Sequence, residues 1–285
     1  MKYFIIEPTN KCNANCLICG DIKDKKKKNI GFMDFELLKL ISERIKAYKA
    51  ENVKIVFAGV GEPFLHPHFL EFLKLVKKNN KVEIGIYTNG HLLTPAVIDK
   101  LVSLNDPNIR LEINLSIHSF NPPTYKKIMN LNLVDCVDNL KYLFSKNKDL
   151  DIKLRIIKCK LNENEVEKMM ANFNKQGNFA RMELVDNRGG CLNNSEVYDE
   201  AFYQRNSKRN NSLDYICQDF LFKDNIMIRW NGYIDLCCTA HNEEHYLGNI
   251  KDLTISQIIS NIENFVKSKE FKIICLKCNR NIAVG

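Results

Sequence analysis

Strand-like and helix-like segments alternate along the first two-thirds of this 285-residue chain. The strand-like segments are short runs rich in β-branched and aromatic residues, and the helix-like segments repeat apolar residues at helical spacing. Such alternation is typical of parallel sheets, because the crossover between two parallel strands usually contains a helix. We therefore predict an α/β fold in which helices surround a parallel sheet.

The pattern fills about 190 residues and predicts a barrel that does not close. The predicted strands are Lys2–Pro8, Lys54–Ala58, Val82–Tyr87, Ile109–Ile117, Leu154–Cys159 and Met182–Val185, and the predicted helices are Phe35–Tyr48 with Asp34 as N-cap, Phe69–Lys78, Ala96–Leu104, Thr124–Phe144 and Glu163–Phe173. A closed barrel needs eight such units, so we predict a partial (β/α)6 barrel of the TIM type over residues 1–190. Its chemistry is expected at the carboxyl ends of the strands.

The pattern changes after Gly190, and residues 191–285 are predicted to form a small second unit. The dipeptide Asn231-Gly232 within Asp224–Leu236 predicts a β-hairpin. A helix over Ile255–Phe271 is predicted to begin after Thr254, a candidate N-cap.

The chain has eleven cysteines, which is an unusually high number for the cytoplasm, where we expect this protein. No apolar run approaches the length of a membrane span, and the apolar stretch within residues 1–11 is too short for a signal peptide. We therefore expect a cytoplasmic protein without a membrane partner. Disulfides are rare in the cytoplasm, so clustered cysteines point to a metal site or to catalysis.

Cys12, Cys16 and Cys19 follow the first predicted strand with the spacing Cys-x3-Cys-x2-Cys. Three thiolates on one short loop can hold three irons of a [4Fe–4S] cluster and leave the fourth iron open to a substrate or cofactor. A structural zinc site is the alternative, but it needs a fourth ligand, and the next histidine is His66. The spacing favours the iron–sulfur cluster.

The cysteine loop resembles the signature of the radical S-adenosylmethionine (radical SAM) superfamily. The segment Gly61-Glu62-Pro63, after the second strand, resembles the family's Gly-Gly-Glu-Pro motif, with Val60 in place of the first glycine. The resemblance implies that this segment receives the amino group of S-adenosylmethionine, and a carboxylate such as Glu62 can accept a hydrogen bond from an ammonium group. Without the cysteines, the same segment would be interpreted as a turn.

The resemblance also assigns other strand ends to the cofactor. It implies that Asn89, in Thr88-Asn89-Gly90, lies near the methionine end, that Ser116 and His118 reach the ribose hydroxyls or the methionine carboxylate, and that the segment from Leu184 to Asn187 packs against the adenine. Structural roles remain open for them: a turn at Asn89, a strand-end hydrogen bond at Ser116 and a buried histidine at His118.

A second group of cysteines resembles the SPASM/twitch extension of radical SAM proteins. The resemblance implies one auxiliary [4Fe–4S] cluster with the ligands Cys217, Cys237, Cys275 and Cys278. Four cysteines also satisfy a zinc site. Cys238 neighbours Cys237 on a strand, so only one of the two should bind the cluster, and the resemblance favours Cys237.

Four cysteines remain outside both predicted clusters. Cys136 and Cys159 lie in a predicted helix and strand and are expected to be small core residues. Cys191 and Cys238 are candidate hydrogen-atom donors, and inert buried thiols are the alternative.

The resemblance implies an enzyme that reductively cleaves S-adenosylmethionine to a 5′-deoxyadenosyl radical, which abstracts hydrogen from a C–H bond of the substrate. We expect dehydrogenation or epimerisation of a small molecule such as a sugar, nucleotide sugar or aminocyclitol, because the motif begins at Cys12 and leaves no room for a peptide-leader-binding domain. Modification of a ribosomally made peptide is the alternative. The electron donor is expected to be a flavodoxin or ferredoxin.

The net charge of +8 supports a rival hypothesis of a different class. A non-catalytic zinc protein could use this charge to bind nucleic acid. The lysine run from Lys25 to Lys28 contains no interleaved aromatic residues, which argues against a stacking platform. We therefore interpret the run as a solvated loop and expect no nucleic-acid partner.

Overall fold

The protein is an α/β structure organised around one nine-stranded sheet. A computed structural model describes residues 2–19, 29–49, 52–79, 82–105, 111–146, 150–175, 179–186, 192, 194–199, 201–202, 215–217, 225–237, 246–268 and 281–283. Within these ranges, no helix is both long and apolar enough to cross a lipid bilayer.

Strands and helices alternate through the amino-terminal part as the sequence predicts. The strands are β1 (Lys2–Ile6), β2 (Val53–Phe57), β3 (Glu83–Thr88), β4 (Leu111–Ser116), β5 (Asp151–Lys158) and β6 (Phe179–Leu184). The helices are α1 (Phe35–Tyr48), α2 (Phe69–Asn79), α3 (Pro95–Leu104), α4 (Pro122–Met129), α5 (Leu133–Ser145) and α6 (Val166–Asn174), and a short 3₁₀ helix spans Pro63–Leu65. All six strands are parallel and follow chain order, which is the arrangement of a partial TIM barrel.

The predicted helix Thr124–Phe144 is in fact two helices, α4 and α5. Asn130 ends α4 in the left-handed conformation with φ of 55°, which an asparagine adopts more readily than most residues. Asn132 then starts α5, because its side chain accepts a hydrogen bond from the N–H of Val134. The two asparagines therefore break an apolar pattern that is otherwise continuous.

The predicted carboxyl-terminal hairpin is present and extends the barrel sheet. β8 (Asn225–Ile228) and β9 (Tyr233–Asp235) are antiparallel, and Gly232 in the turn has φ of +90°. β8 also pairs in parallel with β1, with Ile6 opposite Ile228, and β10 (Tyr246–Asn249) completes this edge of the sheet.

Two further elements complete the described part of the carboxyl-terminal region. α7 (Ile255–Val266) begins with a capping box made by Thr254 and Gln257 and ends five residues before the predicted Phe271, with Lys267 as C-cap. β7 (Tyr215–Cys217) and β11 (Asn281–Ala283) form a separate antiparallel pair. The predicted boundary between units 1–190 and 191–285 stays a prediction.

The two faces of the sheet differ in chemistry. Apolar side chains such as Phe4, Ile55, Ile86 and Ile113 point towards the helices and are fully buried. Along β4 they alternate with Glu112, Asn114 and Ser116, which therefore lie on the opposite, concave face. The concave face and the carboxyl ends of the strands frame the site.

Candidate active site

The cysteine-bearing loop leaves the carboxyl end of β1 and is held by the end of α4. The backbone N–H of Leu17 donates to the carbonyl of Ile128 over 2.8 Å, and that of Asn15 donates to the carbonyl of Met129 over 3.2 Å. The last carbonyls of a helix have no partner within the helix. The loop therefore satisfies the end of α4 while α4 fixes the position of the loop.

Cys12, Cys16 and Cys19 are all half-buried. The N–H of Ala14 donates to Sγ of Cys12 over 3.4 Å, and a hydrogen bond of this kind favours the thiolate. Sγ of Cys16 lies 4.0 Å from the carbonyl oxygen of Met129. The three predicted ligands thus lie, half-buried, on one loop after the carboxyl end of β1.

The number and type of donors on this loop, three thiols, suit a [4Fe–4S] cluster with one open iron. Within the described ranges, no three side chains of histidine, cysteine, aspartate or glutamate lie close enough together to hold one metal ion. A structural zinc ion needs four such donors around one point, whereas each thiolate of a [4Fe–4S] cluster binds a different iron. Three thiols would therefore leave one iron for a ligand that is not part of the chain.

Gly61 brings the loop after β2 into contact with the cysteine loop. A Cβ atom at this position would lie 2.0 Å from the carbonyl oxygen of Thr9 and 2.8 Å from that of Lys11. The N–H of Glu62 donates to the Lys11 carbonyl over 2.9 Å, and Pro63 begins the 3₁₀ helix. Only glycine allows this close approach, which is between two backbone segments.

The buried carboxylate of Glu62 connects the ends of β2 and β3. Oε1 accepts hydrogen bonds from the hydroxyl of Thr88 (2.8 Å) and the N–H of Phe64 (3.3 Å), and Oε2 accepts one from the N–H of Asn89 (2.9 Å). Burial raises the pKa of Glu62 to about 7, although the three hydrogen bonds act in the opposite direction. A carboxylate can accept about four hydrogen bonds, so Glu62 can still receive a donor such as an ammonium group.

Asn89 connects the end of β3 to the cysteine loop. Its side-chain Nδ2 donates to Oδ1 of Asn13 over 2.7 Å, and its Oδ1 accepts from the N–H of His91 over 3.0 Å. Gly90 follows with φ of +82°, and Sγ of the buried Cys136 lies 3.7 Å from the Asn89 carbonyl oxygen. The turn therefore positions the cysteine loop, in addition to the cofactor contact that the sequence predicts for Asn89.

Ser116 and His118 lie at and just beyond the end of β4. Ser116 is half-buried and pairs in register with Arg155 of β5. His118 is buried, and its Nδ1 accepts a hydrogen bond from the N–H of Ile157 over 3.1 Å. In this arrangement the neutral imidazole carries its proton on Nε2. The cofactor contacts assigned to both residues stay predictions.

Leu184 and two of the remaining cysteines lie at the edge of the core or within it. Leu184 ends β6 and packs, half-buried, against the hydrophobic core. Cys136 and Cys159 are buried in this core, as predicted.

The structure describes two of the four predicted ligands of the auxiliary cluster, Cys217 and Cys237. The backbone of Cys217 in β7 pairs with Asn281 of β11, which follows Cys278 by three residues in the sequence. Cys237 is half-buried just after β9. Cys191, Cys238, Cys275 and Cys278 lie outside the described residues, so their assigned roles stay predictions.

The sequence analysis missed a network of charges on the concave face. Glu112 of β4 accepts hydrogen bonds from Lys54 (2.9 Å) and from Lys153, which oppose the effect of its burial and hold its pKa at about 2. Gly85 of β3 lies between Lys54 and Asn114, where a Cβ atom would be 3.3 Å from Cε of Lys54. The alternation of polar residues in β4 and β5 signals this face, because parallel strands buried on both faces are usually continuously apolar.

A buried ion cluster at the end of β1 was also missed. The guanidinium of Arg229 donates to Oε2 of Glu7 over 3.0 Å and to Oδ2 of Asp235 over 2.8 Å. Oε2 of Glu7 also accepts from the N–H of Val60 over 2.9 Å, and a Cβ atom at Gly59 would lie 2.4 Å from this oxygen. The cluster therefore joins β1 and the loop after β2 to the carboxyl-terminal hairpin.

The raised pKa of Glu62 predicts a pH-dependent loss of stability. The folded protein retains this proton up to a pH of about 7, whereas the unfolded chain releases it near the ordinary pKa of a glutamate, 4.5. Folding therefore becomes less favourable as the pH rises between these values, by about 3 kcal/mol in total. Urea unfolding of the wild type and of Glu62→Gln at pH 5.5 and pH 8 should show the wild type losing about 2 kcal/mol relative to the variant, because the remainder is lost below pH 5.5.

In the glutamine variant the side-chain NH2 group cannot accept the hydrogen bond from the N–H of Asn89. This loss lowers the free energy of unfolding of the variant by the same amount at both pH values, so it cancels when the two pH values are compared. An identical difference between the two proteins at pH 5.5 and pH 8 would mean that Glu62 is ionised throughout this range.

Residues 6–172 match the family described as the radical SAM superfamily, and residues 217–279 match an iron–sulfur cluster-binding domain of the SPASM type. The first match contains the cysteine loop, Glu62, Asn89, Ser116 and His118. The second begins at Cys217 and contains Cys237, Cys238, Cys275 and Cys278.

One curated relative is the tungsten-containing aldehyde ferredoxin oxidoreductase cofactor-modifying protein of Pyrococcus furiosus. It is 38% identical over 106 residues, which cover 36% of this chain and 28% of the relative. The match therefore spans under a third of that relative's length.

Two solved structures share the fold over nearly the whole chain. The anSMEcpe structure with bound AdoMet and the Kp18Cys peptide has a TM-score of 0.70 at 18% identity, with 98% of this chain and 89% of the other covered. The structure of BtrN in complex with AdoMet and 2-DOIA has a TM-score of 0.62 at 19% identity, with 98% and 93% covered.

Proposed function

Because the chain belongs to the radical SAM superfamily, we propose that it modifies a small-molecule substrate at a C–H bond, by dehydrogenation or epimerisation. The substrate is a sugar, a nucleotide sugar or an aminocyclitol-like compound. The observation that carries this proposal is the polar concave face of the sheet, where the half-buried side chains of Tyr87 and Arg155 offer hydrogen-bonding groups to a hydrophilic molecule.

Membership of the radical SAM superfamily implies the cofactors of this enzyme. When bound, a [4Fe–4S] cluster and S-adenosylmethionine supply the one-electron chemistry that removes hydrogen from an unactivated carbon, and the SPASM domain adds at least one further iron–sulfur cluster. Residues 1–190 would form the barrel domain, and residues 191–285 the auxiliary domain. A flavodoxin or ferredoxin would supply the electron.

The chain's own residues provide positioning in this proposal. Cys12, Cys16 and Cys19 hold the first cluster, and Asn89 fixes the loop that carries them through Asn13. Glu62 receives the amino group of S-adenosylmethionine.

The remaining cofactor contacts and the auxiliary site follow the sequence motifs. Gly61, Pro63, Ser116, His118 and Leu184 line the rest of the cofactor site. The auxiliary cluster is bound by Cys217, Cys237, Cys275 and Cys278. Cys191 or Cys238 would donate a hydrogen atom if the reaction is an epimerisation.

Peptide modification is the second candidate function. It is favoured by the TM-score of 0.70 to anSMEcpe with bound AdoMet and Kp18Cys peptide. The similarity to BtrN in complex with AdoMet and 2-DOIA supports the small-molecule proposal in the same way. At under 25% identity both similarities concern the fold, so the choice between the candidates depends on the substrate itself.

Anaerobic reconstitution followed by an assay for 5′-deoxyadenosine tests the proposal. We expect a brown protein with about eight irons per chain, which is the content of two [4Fe–4S] clusters, and 5′-deoxyadenosine after reduction. A colourless zinc protein with salt-sensitive nucleic-acid binding would contradict the proposal. Once a substrate is found, turnover in deuterated water distinguishes the reactions: deuterium on carbon indicates epimerisation, and a loss of two hydrogens indicates oxidation.

A further inference from the structure

The chain leaves the barrel at the start of the cysteine loop and later returns beside its own starting point. The N–H of Met33 donates to the carbonyl of Pro8 over 2.7 Å, and Thr9 forms an antiparallel bridge with Phe32. The hydroxyl of Thr9 also donates to the carbonyl of Gly31 over 2.6 Å. This short pairing forms the base of the cysteine loop.

Asn10 continues the pairing with its side chain. Nδ2 of Asn10 donates to the carbonyl of Asn29 over 2.8 Å, and Oδ1 accepts from the N–H of Gly31 over 2.9 Å. A carboxamide offers a donor and an acceptor in one plane, as a peptide group does, so it can replace backbone pairing where the chain turns away. One side chain thus joins the two ends of the loop, two residues before Cys12.

The base is attached to fixed parts of the fold on both sides. Gly61 packs against the carbonyl of Thr9, and Gly31 packs against the ring of Trp230 in the carboxyl-terminal hairpin. Asn10 itself is half-buried, and within the described residues its side chain makes no hydrogen bond besides the two across the base. Removing this side chain should therefore weaken the closure of the loop and leave the hydrophobic core unchanged.

We propose that Asn10 is a positioning residue for the iron–sulfur cluster, because it closes the base of the cysteine loop and thereby slows the loss of the cluster. The proposal rests on the proposed function only through the assignment of Cys12, Cys16 and Cys19 as ligands. Joining the ends of a loop restricts the conformations that its residues can adopt. The three thiols then stay close together when one iron–sulfur bond breaks, and this bond re-forms before the cluster is lost.

The rate at which EDTA removes iron from the reconstituted, unreduced enzyme under anaerobic conditions tests the proposal. Cys16→Ala, which should retain the auxiliary cluster alone, identifies the phase of iron release that belongs to the auxiliary site. Asn10→Ala should release the cluster of the cysteine loop about tenfold faster than the wild type, as expected for two lost hydrogen bonds. Its auxiliary phase and its unfolding temperature should stay close to those of the wild type.

Two other asparagines provide matched controls. Asn15 is bound through its backbone N–H, which donates to Met129, and Asn29 is bound through its backbone carbonyl. Alanine keeps both of these backbone groups, and neither side chain makes a hydrogen bond within the part of the chain that the structure describes. Asn15→Ala and Asn29→Ala should therefore release iron at the rate of the wild type.

Three results would overturn the proposal. The first is an unchanged release rate in Asn10→Ala, and the second is an equal acceleration in either control variant. The third is faster release from both clusters, which would indicate a general loss of structure. A wild type that takes up no cluster in the cysteine loop would contradict the ligand assignment and this proposal together. A wild type that holds both clusters but forms no product would contradict the proposed reaction alone.

Discussion

Replacing Cys16 by alanine should abolish the formation of 5′-deoxyadenosine and reduce the iron content from about eight to about four atoms per chain. Cys16 is the middle one of the three proposed ligands, which lie half-buried on one loop after β1. The auxiliary cluster, proposed to be bound by Cys217, Cys237, Cys275 and Cys278, should remain. Iron and sulfide analysis after anaerobic reconstitution, together with chromatographic detection of 5′-deoxyadenosine, measures both effects.

Cys159→Ala is the matched control for this experiment. Cys159 is fully buried in the core after β5, and burial raises the pKa of its thiol, as expected of an inert cysteine. This variant should retain the iron content of the wild type. Retention of 5′-deoxyadenosine formation by Cys16→Ala would contradict the assignment of the cysteine loop. A full iron content in that variant would contradict the assignment as well.

Replacing a proposed ligand of the auxiliary cluster should have a different effect from replacing Cys16. Cys275→Ala is expected to lose product while retaining some cleavage of S-adenosylmethionine, because the first cluster does not depend on this ligand. Substrate turnover and 5′-deoxyadenosine measured on the same sample distinguish the two sites.

The sequence predicts the barrel because its strands and helices carry their signals locally. Helix α1 has the predicted bounds, since Asp34 caps its first turn and apolar residues recur at helical spacing up to Tyr48. The break between α4 and α5 was missed because it depends on Asn130 and Asn132, and an asparagine inside an apolar pattern does not by itself end a helix.

Contacts between distant segments could not be predicted from local patterns. The sequence places Asn89 and Glu62 at strand ends, but not the hydrogen bonds that join them to each other and to Asn13. The pairing of β8 with β1 was missed for the same reason, because a parallel pair formed across most of the chain leaves no local signal.

Replacing Arg229 by methionine should destabilise the protein by about 3–5 kcal/mol, because it leaves two carboxylates buried without their cation. Glu7 and Asp235 are 1% and 2% exposed, and Arg229 is 6% exposed. Burial by itself would lower the pKa of Arg229, but the two carboxylates outweigh it and raise this pKa, so the guanidinium is always charged. The loss should release the hairpin from Glu7, which lies just after β1 and five residues before Cys12.

The only tryptophan of the chain reports this release. Trp230 follows Arg229, and its ring lies 2.0 Å from the place that a Cβ atom at Gly31 would occupy, so its fluorescence senses the docking of the hairpin against the segment before α1. Urea unfolding followed by this fluorescence gives the free energy of unfolding. Hydrogen exchange at residues 12–19 should increase in the variant, since Arg229 holds Glu7, and the chain continues from Glu7 into the cysteine loop.

The side chain of Arg181 is 59% exposed. Arg181→Met should therefore change the free energy of unfolding by no more than about 0.5 kcal/mol.

A triple variant, with Glu7→Gln and Asp235→Asn added to Arg229→Met, should recover much of the lost stability, because no charge then remains buried at this point. If Arg229→Met were as stable as Arg181→Met, the two carboxylates would have to be solvated or protonated, and the hairpin would be held by strand pairing alone. If the triple variant instead recovers both the free energy of unfolding and the hydrogen-exchange protection of residues 12–19, the hairpin and the cysteine loop are coupled through the charge of Arg229. Arg229 would then be the residue that positions the cysteine loop relative to the hairpin that leads to Cys237.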